Sequence, residues 1–254
     1  METRNIIIII VIIILLYIAV KYIANDVNTL TGVTSGTTAQ TIEASSLATD
    51  GENPNQSNFA YSIWFNIDDW TYKYGKPKVL FGRVGQQRNE NGTAENPCPL
   101  VALGAIENNL IISLTLSGCT PSESESMEST SLDNGMCIHR CMISNVPIQK
   151  WVNLLISVYG QTLDVYMDGK LVKTCVMPGI AQIYPDQNVY VTPYGGFSGW
   201  TAKFQYYPNA LNPQEAWDIY QKGYGQSWLS SIFGKYQIKV SFMENGTESN
   251  SFTI

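Results

Sequence analysis

The segment Thr162–Cys175 most constrains the fold, because its residue pattern specifies two paired strands and the turn between them. Apolar and polar side chains alternate up to Met167, Asp168-Gly169 follows, and a second apolar run begins at Leu171. A type I′ turn requires positive φ at both central residues, so Asp-Gly between alternating runs is a strong hairpin signal. The sequence therefore predicts a β-hairpin that belongs to a larger sheet.

Similar short alternating segments recur from Phe59 onward. Every second side chain is apolar in residues 59–67 and again in residues 152–158. Further predicted strands lie in KPKVLFGRV, LVALGAI, NLIISLTLSG, NVYVTPY and FSGWTAKFQYY. Charged residues make up only 14% of the chain while tyrosine is abundant, which suits strands better than helices. Many short antiparallel strands joined by turns are typical of an all-β sandwich or jelly roll.

One helix is predicted within LNPQEAWDIYQKG. Asn212 is a suitable N-cap, Pro213 suits the first helical position, and Glu215 completes a capping box. Gly223 is placed to end the helix. The side chains expected to pack this helix on a sheet are Ala216, Ile219 and Tyr220.

The amino-terminal region contains an unbroken apolar run from Ile6 to Val20, which resumes after Lys21. As a helix it spans roughly 27 Å, enough for a thin hydrocarbon core if Lys21 snorkels. A cleaved signal peptide is the alternative, but the run is long for such a segment and no small-residue cleavage site follows it. Residues 1–24 are therefore predicted to be a transmembrane anchor. Arg4 and Lys21 leave its orientation open.

The rest of the chain divides by composition. Residues 25–57 are rich in Thr, Ser, Asn and Gly and are predicted to be a linker, followed by a domain at 58–223. Residues 224–254 are a carboxy-terminal extension, either a second hairpin around Asn245-Gly246 or a loosely held tail. The net charge of −6 argues against binding to nucleic acid, because no basic stripe is available to neutralise phosphates.

Several motifs in a fixed order resemble one known superfamily. They are SIWFN, the WVNLLISVYGQTLDVYMDGKLV segment, GGFSG and NALNPQEAWDIY. Over residues 58–223 the chain resembles the laminin-G-like branch of the concanavalin A-like lectin/glucanase superfamily. It is most similar to membrane-anchored versions from large nucleocytoplasmic DNA viruses. The resemblance implies a two-sheet jelly roll with one short helix.

The resemblance also implies a function and a location. The expected function is that of a non-enzymatic virion structural protein, a minor capsid component at the interface of internal membrane and capsid. Its expected partners are the lipid bilayer and the major and minor capsid proteins. The alternative is a carbohydrate-binding surface or attachment module, with glycans as partners.

The five cysteines are interpreted mainly as disulfide partners. Cys141 and Cys175 fall on strands that flank the predicted hairpin, and we expect them to pair. A second pair, Cys119–Cys137, would close the polar insert between residues 119 and 137. The odd count leaves one thiol over.

No catalytic or metal site is predicted. Glu123, Glu125 and Glu128 have the nearest spacing to a glucanase carboxylate pair, but they lie in a Ser-rich insert that is better explained as a solvated loop. Asp68 and Asp69 are expected to cap a turn. We therefore expect a protein that is not an enzyme.

Neither a zinc site nor a calcium site is predicted from the sequence. His139 lies between Cys137 and Cys141, and the three would share a strand face, but a fourth zinc ligand and the usual cysteine spacing are missing. Calcium ligands would have to come from the scattered residues Asp164, Asp168 and Asp186. No cofactor is therefore expected.

Aromatic residues supply the predicted interaction surface. Trp64 and Trp151 are assigned to the core, whereas other tryptophans could stack on sugars or contact a protein partner. The residues assigned to this surface are Trp70, Trp200, Tyr206, Tyr207 and Trp228. Asn91 and Asn245 begin glycosylation sequons that are equally compatible with plain turns.

Overall fold

The computed structural model describes residues 14–15, 28–47, 57–85, 95–118, 130–133, 136–224, 239–244 and 247–253, with side chains for all but 130–136 and 239–253. Val27–Tyr224 forms one compact unit. No helix in these ranges is long and apolar enough to cross a bilayer. The predicted anchor, including Ile6, Val20 and Lys21, lies outside them except for Ile14 and Leu15.

Fifteen strands build the compact unit within the described ranges. In chain order they are β1 (Thr29–Thr31), β2 (Thr34–Ser35), β3 (Gln40–Ile42), β4 (Phe59–Asp69), β5 (Lys78–Arg83), β6 (Leu100–Leu103), β7 (Asn109–Ser117), β8 (Thr130–Asp133), β9 (Met136–Ser144), β10 (Trp151–Tyr159), β11 (Thr162–Met167), β12 (Lys170–Val176), β13 (Ile180–Ala181), β14 (Val189–Val191) and β15 (Ser198–Tyr207).

These strands form two antiparallel sheets. The first sheet has the order β1-β15-β4-β10-β11-β12, with β2 also paired to β15. The second sheet has the order β3-β14-β5-β6-β7-β9-β8, with β13 paired to β7. The predicted β-sandwich architecture is thereby confirmed.

The core lies between the inward faces of the two sheets. Alternate residues of β4, from Phe59 to Ile67, pack with alternate residues of β10, from Val152 to Val158, against the second sheet. From the second sheet, Leu80 and Phe81 of β5 and the side chains at 110, 112 and 114 of β7 complete this core. The period-two pattern therefore predicted the inward faces of β4 and β10 correctly.

The predicted hairpin is formed by β11 and β12, and Asp168 and Gly169 both have positive φ, at 49° and 72°. The predicted helix, α1, spans Pro213–Gln221 and has the complete Asn212–Glu215 capping box. It lies on the outer face of the first sheet, where a second small core forms. The members of that core are Leu155, Tyr166, Ala216 and Ile219.

The amino-terminal part of the sandwich differs from the predicted linker at 25–57. Residues 29–42 supply β1 and β2 to the first sheet and β3 to the second sheet. Each of these strands has only two or three residues, which is too short for an alternating pattern to be visible in the sequence. The sandwich therefore begins before residue 58.

The carboxy-terminal strands β16 (Lys239–Glu244) and β17 (Thr247–Thr253) pair with each other as a separate two-stranded antiparallel sheet. Asn245 and Gly246, between them, lie outside the described residues. This arrangement corresponds to the hairpin alternative for the carboxy-terminal extension.

Candidate functional site

A row of three cross-strand neighbours lies on the outer face of the first sheet. Trp200 of β15 pairs with Asn66 of β4, and Asn66 pairs with Trp151 of β10. The flanking residues Phe65 and Ile67 point into the core, so strand alternation turns Asn66 outward. We call Trp200, Asn66 and Trp151 the aromatic row.

Trp200 forms the open end of the aromatic row. Trp200 is 46% exposed although its strand is paired on both sides at this position. On its other side β15 pairs with the two-residue strand β2, whose Ser35 is the cross-strand partner of Trp200. A short strand with a small residue leaves the indole face uncovered. Tryptophan is usually well buried, so an exposed ring here is an available apolar platform.

Trp151 forms the other end of the row and carries a second ring. Tyr224, which follows α1, stacks on Trp151 with ring centroids 4.2 Å apart and an interplanar angle of 19°. Tyr224 also contacts Trp64 at 5.3 Å, and 38% of its side chain remains exposed. The ammonium of Lys203 donates to the carbonyl of Gly223 at 3.0 Å and holds the backbone just before this tyrosine.

The prediction that Trp64 and Trp151 belong to the core between the sheets is wrong. Trp64 is buried, but on the outer face of β4 beneath α1, where it stacks on Tyr220 at 5.7 Å. Trp151 is only partly buried. Successive side chains of a strand point to opposite faces of the sheet. Because the neighbours Phe65 and Val152 face inward, Trp64 and Trp151 face outward.

Asn66 supplies unused hydrogen-bonding capacity at the centre of the row. Its Oδ1 atom is buried and has no hydrogen-bond partner in the described part of the chain. The same holds for Trp64 Nε1 and Asn153 Oδ1 nearby, although Asn153 Nδ2 donates to Ser62 Oγ at 3.1 Å. An unsatisfied buried polar atom costs about 1–3 kcal/mol, so each such group calls for an explanation.

Two lysines near this face have polar partners, and one carboxylate is exposed beside it. Lys150 pairs with Asp168 at 3.5 Å, and Lys203 is engaged by the Gly223 carbonyl. Asp168 also accepts a hydrogen bond from the backbone N–H of Asn153. The carboxylate of Asp68, two residues after Asn66, is exposed. The Asp68 carboxylate therefore disfavours an anionic ligand beside Asn66.

A groove lies on the outer face of the second sheet. This aliphatic groove has a volume of about 410 Å³, and its lining contains no aromatic ring. Leu110, Ile112 and Leu114 of β7 face the core, so the intervening residues of β7 face the groove. The principal lining residues are Leu100, Ala102, Ile106, Ile111, Ile138 and Arg140.

The predicted disulfide Cys141–Cys175 is present and connects β9 to β12. Cys137 is also disulfide-bonded, and its predicted partner Cys119 lies outside the described residues. Cys98 is a buried free thiol. Because Cys137 and Cys141 are both oxidised, neither can supply a thiolate beside His139, which removes the zinc alternative.

The other candidate residues from the sequence are dispersed. Asp69 accepts hydrogen bonds from Thr71, which lower the pKa of its carboxyl group, and it acts as the expected turn cap. Asp164 accepts from the Thr174 hydroxyl. No group of three or more His, Cys, Asp or Glu residues able to hold a metal occurs in the described ranges. Glu123, Glu125, Glu128, Asn91 and Asn245 lie outside them.

The predicted interaction surface is not assembled as a unit. Tyr206 is 8% exposed and belongs to the core, because the shift in β15 between Ala202 and Gln205 turns it inward opposite Tyr61. Tyr207 packs beside α1, and Trp228 lies outside the described residues. Trp70 is partly buried, donates to the Ile106 carbonyl at 3.2 Å and lies under the Lys78 ammonium. Of these residues, Trp200 alone joins the site.

The fold is similar to that of solved toxin binding domains, whereas no family model and no curated protein matches the sequence. The receptor binding domain of botulinum neurotoxin D aligns with a TM-score of 0.51 and 11% identity, over 76% of this chain and 44% of that one. The botulinum neurotoxin serotype D ligand binding domain in complex with N-acetylneuraminic acid gives a TM-score of 0.52 and 11% identity, over 77% and 43%. This chain thus spans less than half the length of either structure. At such identity the likeness shows the fold alone, a β-sandwich.

Proposed function

We propose that the sandwich is a carbohydrate-binding module whose site is the aromatic row, and that it acts by binding without catalysis. The observation that carries this proposal is the half-exposed Trp200 ring beside the unpartnered amide oxygen of Asn66. The apolar face of a pyranose ring suits an indole platform, and its hydroxyls suit an amide.

The proposed ligand is a neutral glycan. Lys150 and Lys203 are already engaged, and the exposed carboxylate of Asp68 repels an acidic sugar. The fold likeness to a domain solved with N-acetylneuraminic acid supports a glycan role in general terms. The acidic sugar of that complex does not fit the charge pattern of this site.

The test is a glycan array probed with the full-length protein and two variants. Trp200→Ala removes the platform, whereas Tyr159→Ala removes an exposed ring at the end of β10 opposite Trp151. We expect saturable binding to neutral glycans that falls at least about tenfold in Trp200→Ala, because truncating a central aromatic anchor typically costs 2 kcal/mol or more. Tyr159→Ala should bind like the unmodified protein. Absence of glycan binding, or equal binding by both variants, would refute the proposal.

The aliphatic groove favours a second candidate function, the one implied by the viral resemblance. In this proposal residues 1–24 anchor the chain in the internal membrane of a virion, and the sandwich contacts neighbouring capsid proteins. An aliphatic lining without aromatic rings suits an apolar protein segment better than a sugar.

Cross-linking in intact particles tests the second candidate. A photoreactive residue introduced at Ile111, in the groove, should form adducts with capsid proteins. The same residue at position 159, distant in sequence and on the other sheet, is the control. Failure to find the protein in purified particles, or adducts from position 159 alone, would contradict a capsid role for the groove.

A further inference from the structure

We infer that the site takes an extended neutral oligosaccharide rather than a single sugar residue, with Trp200 and Tyr224 as two separate platforms on either side of Asn66. This inference rests on the proposed carbohydrate-binding function and adds the size class of its ligand. It follows from the spacing, support and exposure of the two rings.

The spacing of the platforms exceeds one sugar ring. Trp200 and Trp151 lie on β15 and β10, which are separated by β4. Two interstrand spacings correspond to roughly 10 Å between the backbones. Tyr224 stacks on Trp151, the member of the row on β10, and also contacts Trp64 of β4. One pyranose ring cannot lie on both platforms, whereas neighbouring residues of a glycan chain can.

The second platform is held in place before any ligand arrives. The Tyr224 ring contacts both Trp151 and Trp64, and Trp64 is itself stacked on Tyr220 of α1. The Lys203 ammonium fixes the preceding carbonyl of Gly223. A supported ring loses little conformational freedom on binding, so its contribution to affinity is retained.

The centre of the row matches the junction between two sugar residues. Asn66 lies between the platforms and is the cross-strand partner of both Trp200 and Trp151. Sugars on both platforms would place the junction between them near Asn66, whereas a single sugar on Trp200 would leave the Tyr224 platform empty.

The experiment is a calorimetric length series on the full-length protein. The probes are oligomers of glucose, of N-acetylglucosamine and of mannose, each with one to four residues. In any series that binds, we expect affinity to rise at least tenfold between one residue and three. Equal affinity for monosaccharide and trisaccharide would overturn this inference and leave the proposed function standing. No binding in any series would overturn both.

Two variants locate the second platform. Tyr224→Ala should lower the trisaccharide affinity at least fivefold and leave the monosaccharide affinity within twofold. Trp217→Ala is the matched control, because Trp217 is also 38% exposed and contacts Tyr220 but lies outside the row. It should leave both affinities within twofold. An unchanged trisaccharide affinity in Tyr224→Ala, or an equal loss in Trp217→Ala, would contradict the assignment of Tyr224.

Discussion

Cys141 on β9 and Cys175 on β12 are joined by a disulfide bond that connects the second sheet to the first. Both residues are buried, and 34 positions separate them in the sequence. At the same edge the ammonium of Lys173 on β12 donates to the carbonyl of Met142 on β9 at 3.0 Å, and side chains pack between the sheets. The disulfide bond therefore ties the two layers together on the side of the sandwich that carries the β11–β12 hairpin.

Removing this cross-link should lower the free energy of unfolding by about 3–4 kcal/mol, because the unfolded chain regains the entropy of a loop of this length. The variant is Cys141→Ala with Cys175→Ala, measured by denaturant unfolding. Cys98→Ala is the control, because it removes a buried thiol that forms no cross-link. A double variant no less stable than Cys98→Ala would contradict the prediction.

The turns at the two ends of β11 support a comparison of two glycines, Gly160 before the strand and Gly169 after it. Gly160 and Gly169 both have positive φ, at 55° and 72°. A Cβ atom on Gly160 would meet nothing within 4 Å, whereas one on Gly169 would lie 2.9 Å from Trp217 Cε3 and 3.0 Å from Tyr220 Cβ. Gly160→Ala should cost about 1–2 kcal/mol from backbone strain alone. Gly169→Ala should cost at least about 1 kcal/mol more, because α1 must shift. Equal losses in denaturant unfolding would show that α1 does not press on the turn.

Much of the sandwich was predictable because its longest strands each bury one face. The alternation in β4 and β10 identified their inward residues, and Asp168-Gly169 fixed the hairpin. The strands β1, β2 and β3 escaped prediction because two or three residues pair through the backbone without a readable pattern. Tyr206 was misplaced because a register shift in β15 cannot be seen in the sequence.

The candidate site was only partly predictable. The sequence predicts Trp200 as a surface aromatic, but it gives Asn66 no role and places Trp151 in the core. The alternation of side chains in β4 and β10 already implies that Asn66 and Trp151 face outward, since Phe65 and Val152 face inward. What the sequence could not supply is the pairing of β15 with β4, which brings Trp200 beside Asn66. The aromatic row spans three strands and therefore depends on which strands are neighbours in the sheet, which the sequence does not show.

The capping box of α1 leads to a prediction about the free energy of unfolding that does not depend on the candidate site. Asn212 Oδ1 accepts from the backbone N–H of Glu215 at 3.0 Å, and Glu215 Oε2 accepts from the N–H of Asn212 at 2.8 Å. Asn212→Ala should lower the free energy of unfolding by about 1 kcal/mol. Asn212→Asp, which keeps the acceptor, should stay within about 0.5 kcal/mol of the unmodified protein. Equal losses in thermal unfolding would show that the cap does not stabilise α1.

The buried thiol of Cys98 should make the sandwich sensitive to alkali. Burial raises the pKa of this thiol from 9.0 to about 12, although the nearby Arg83 guanidinium opposes the shift. The folded protein therefore keeps the proton after the unfolded chain has lost it. The contribution of this thiol to the free energy of unfolding is fully present below pH 9 and is lost as the pH rises towards 12. Burial raises the pKa of the Tyr61 hydroxyl as well, in the same direction.

Comparing the unmodified protein with Cys98→Ala separates the contribution of the thiol to the pH dependence from that of the tyrosines and lysines that also titrate in this range. Above pH 9 the free energy of unfolding of the unmodified protein should fall more steeply than that of the variant, by up to about 1.4 kcal/mol per pH unit. The measurement is denaturant unfolding at pH 8, 9, 10 and 10.5. A thiol reagent at pH 8 should leave Cys98 unmodified until the chain unfolds. Parallel pH profiles, or rapid modification of the folded protein, would show that the thiol ionises in the folded state at its ordinary pKa.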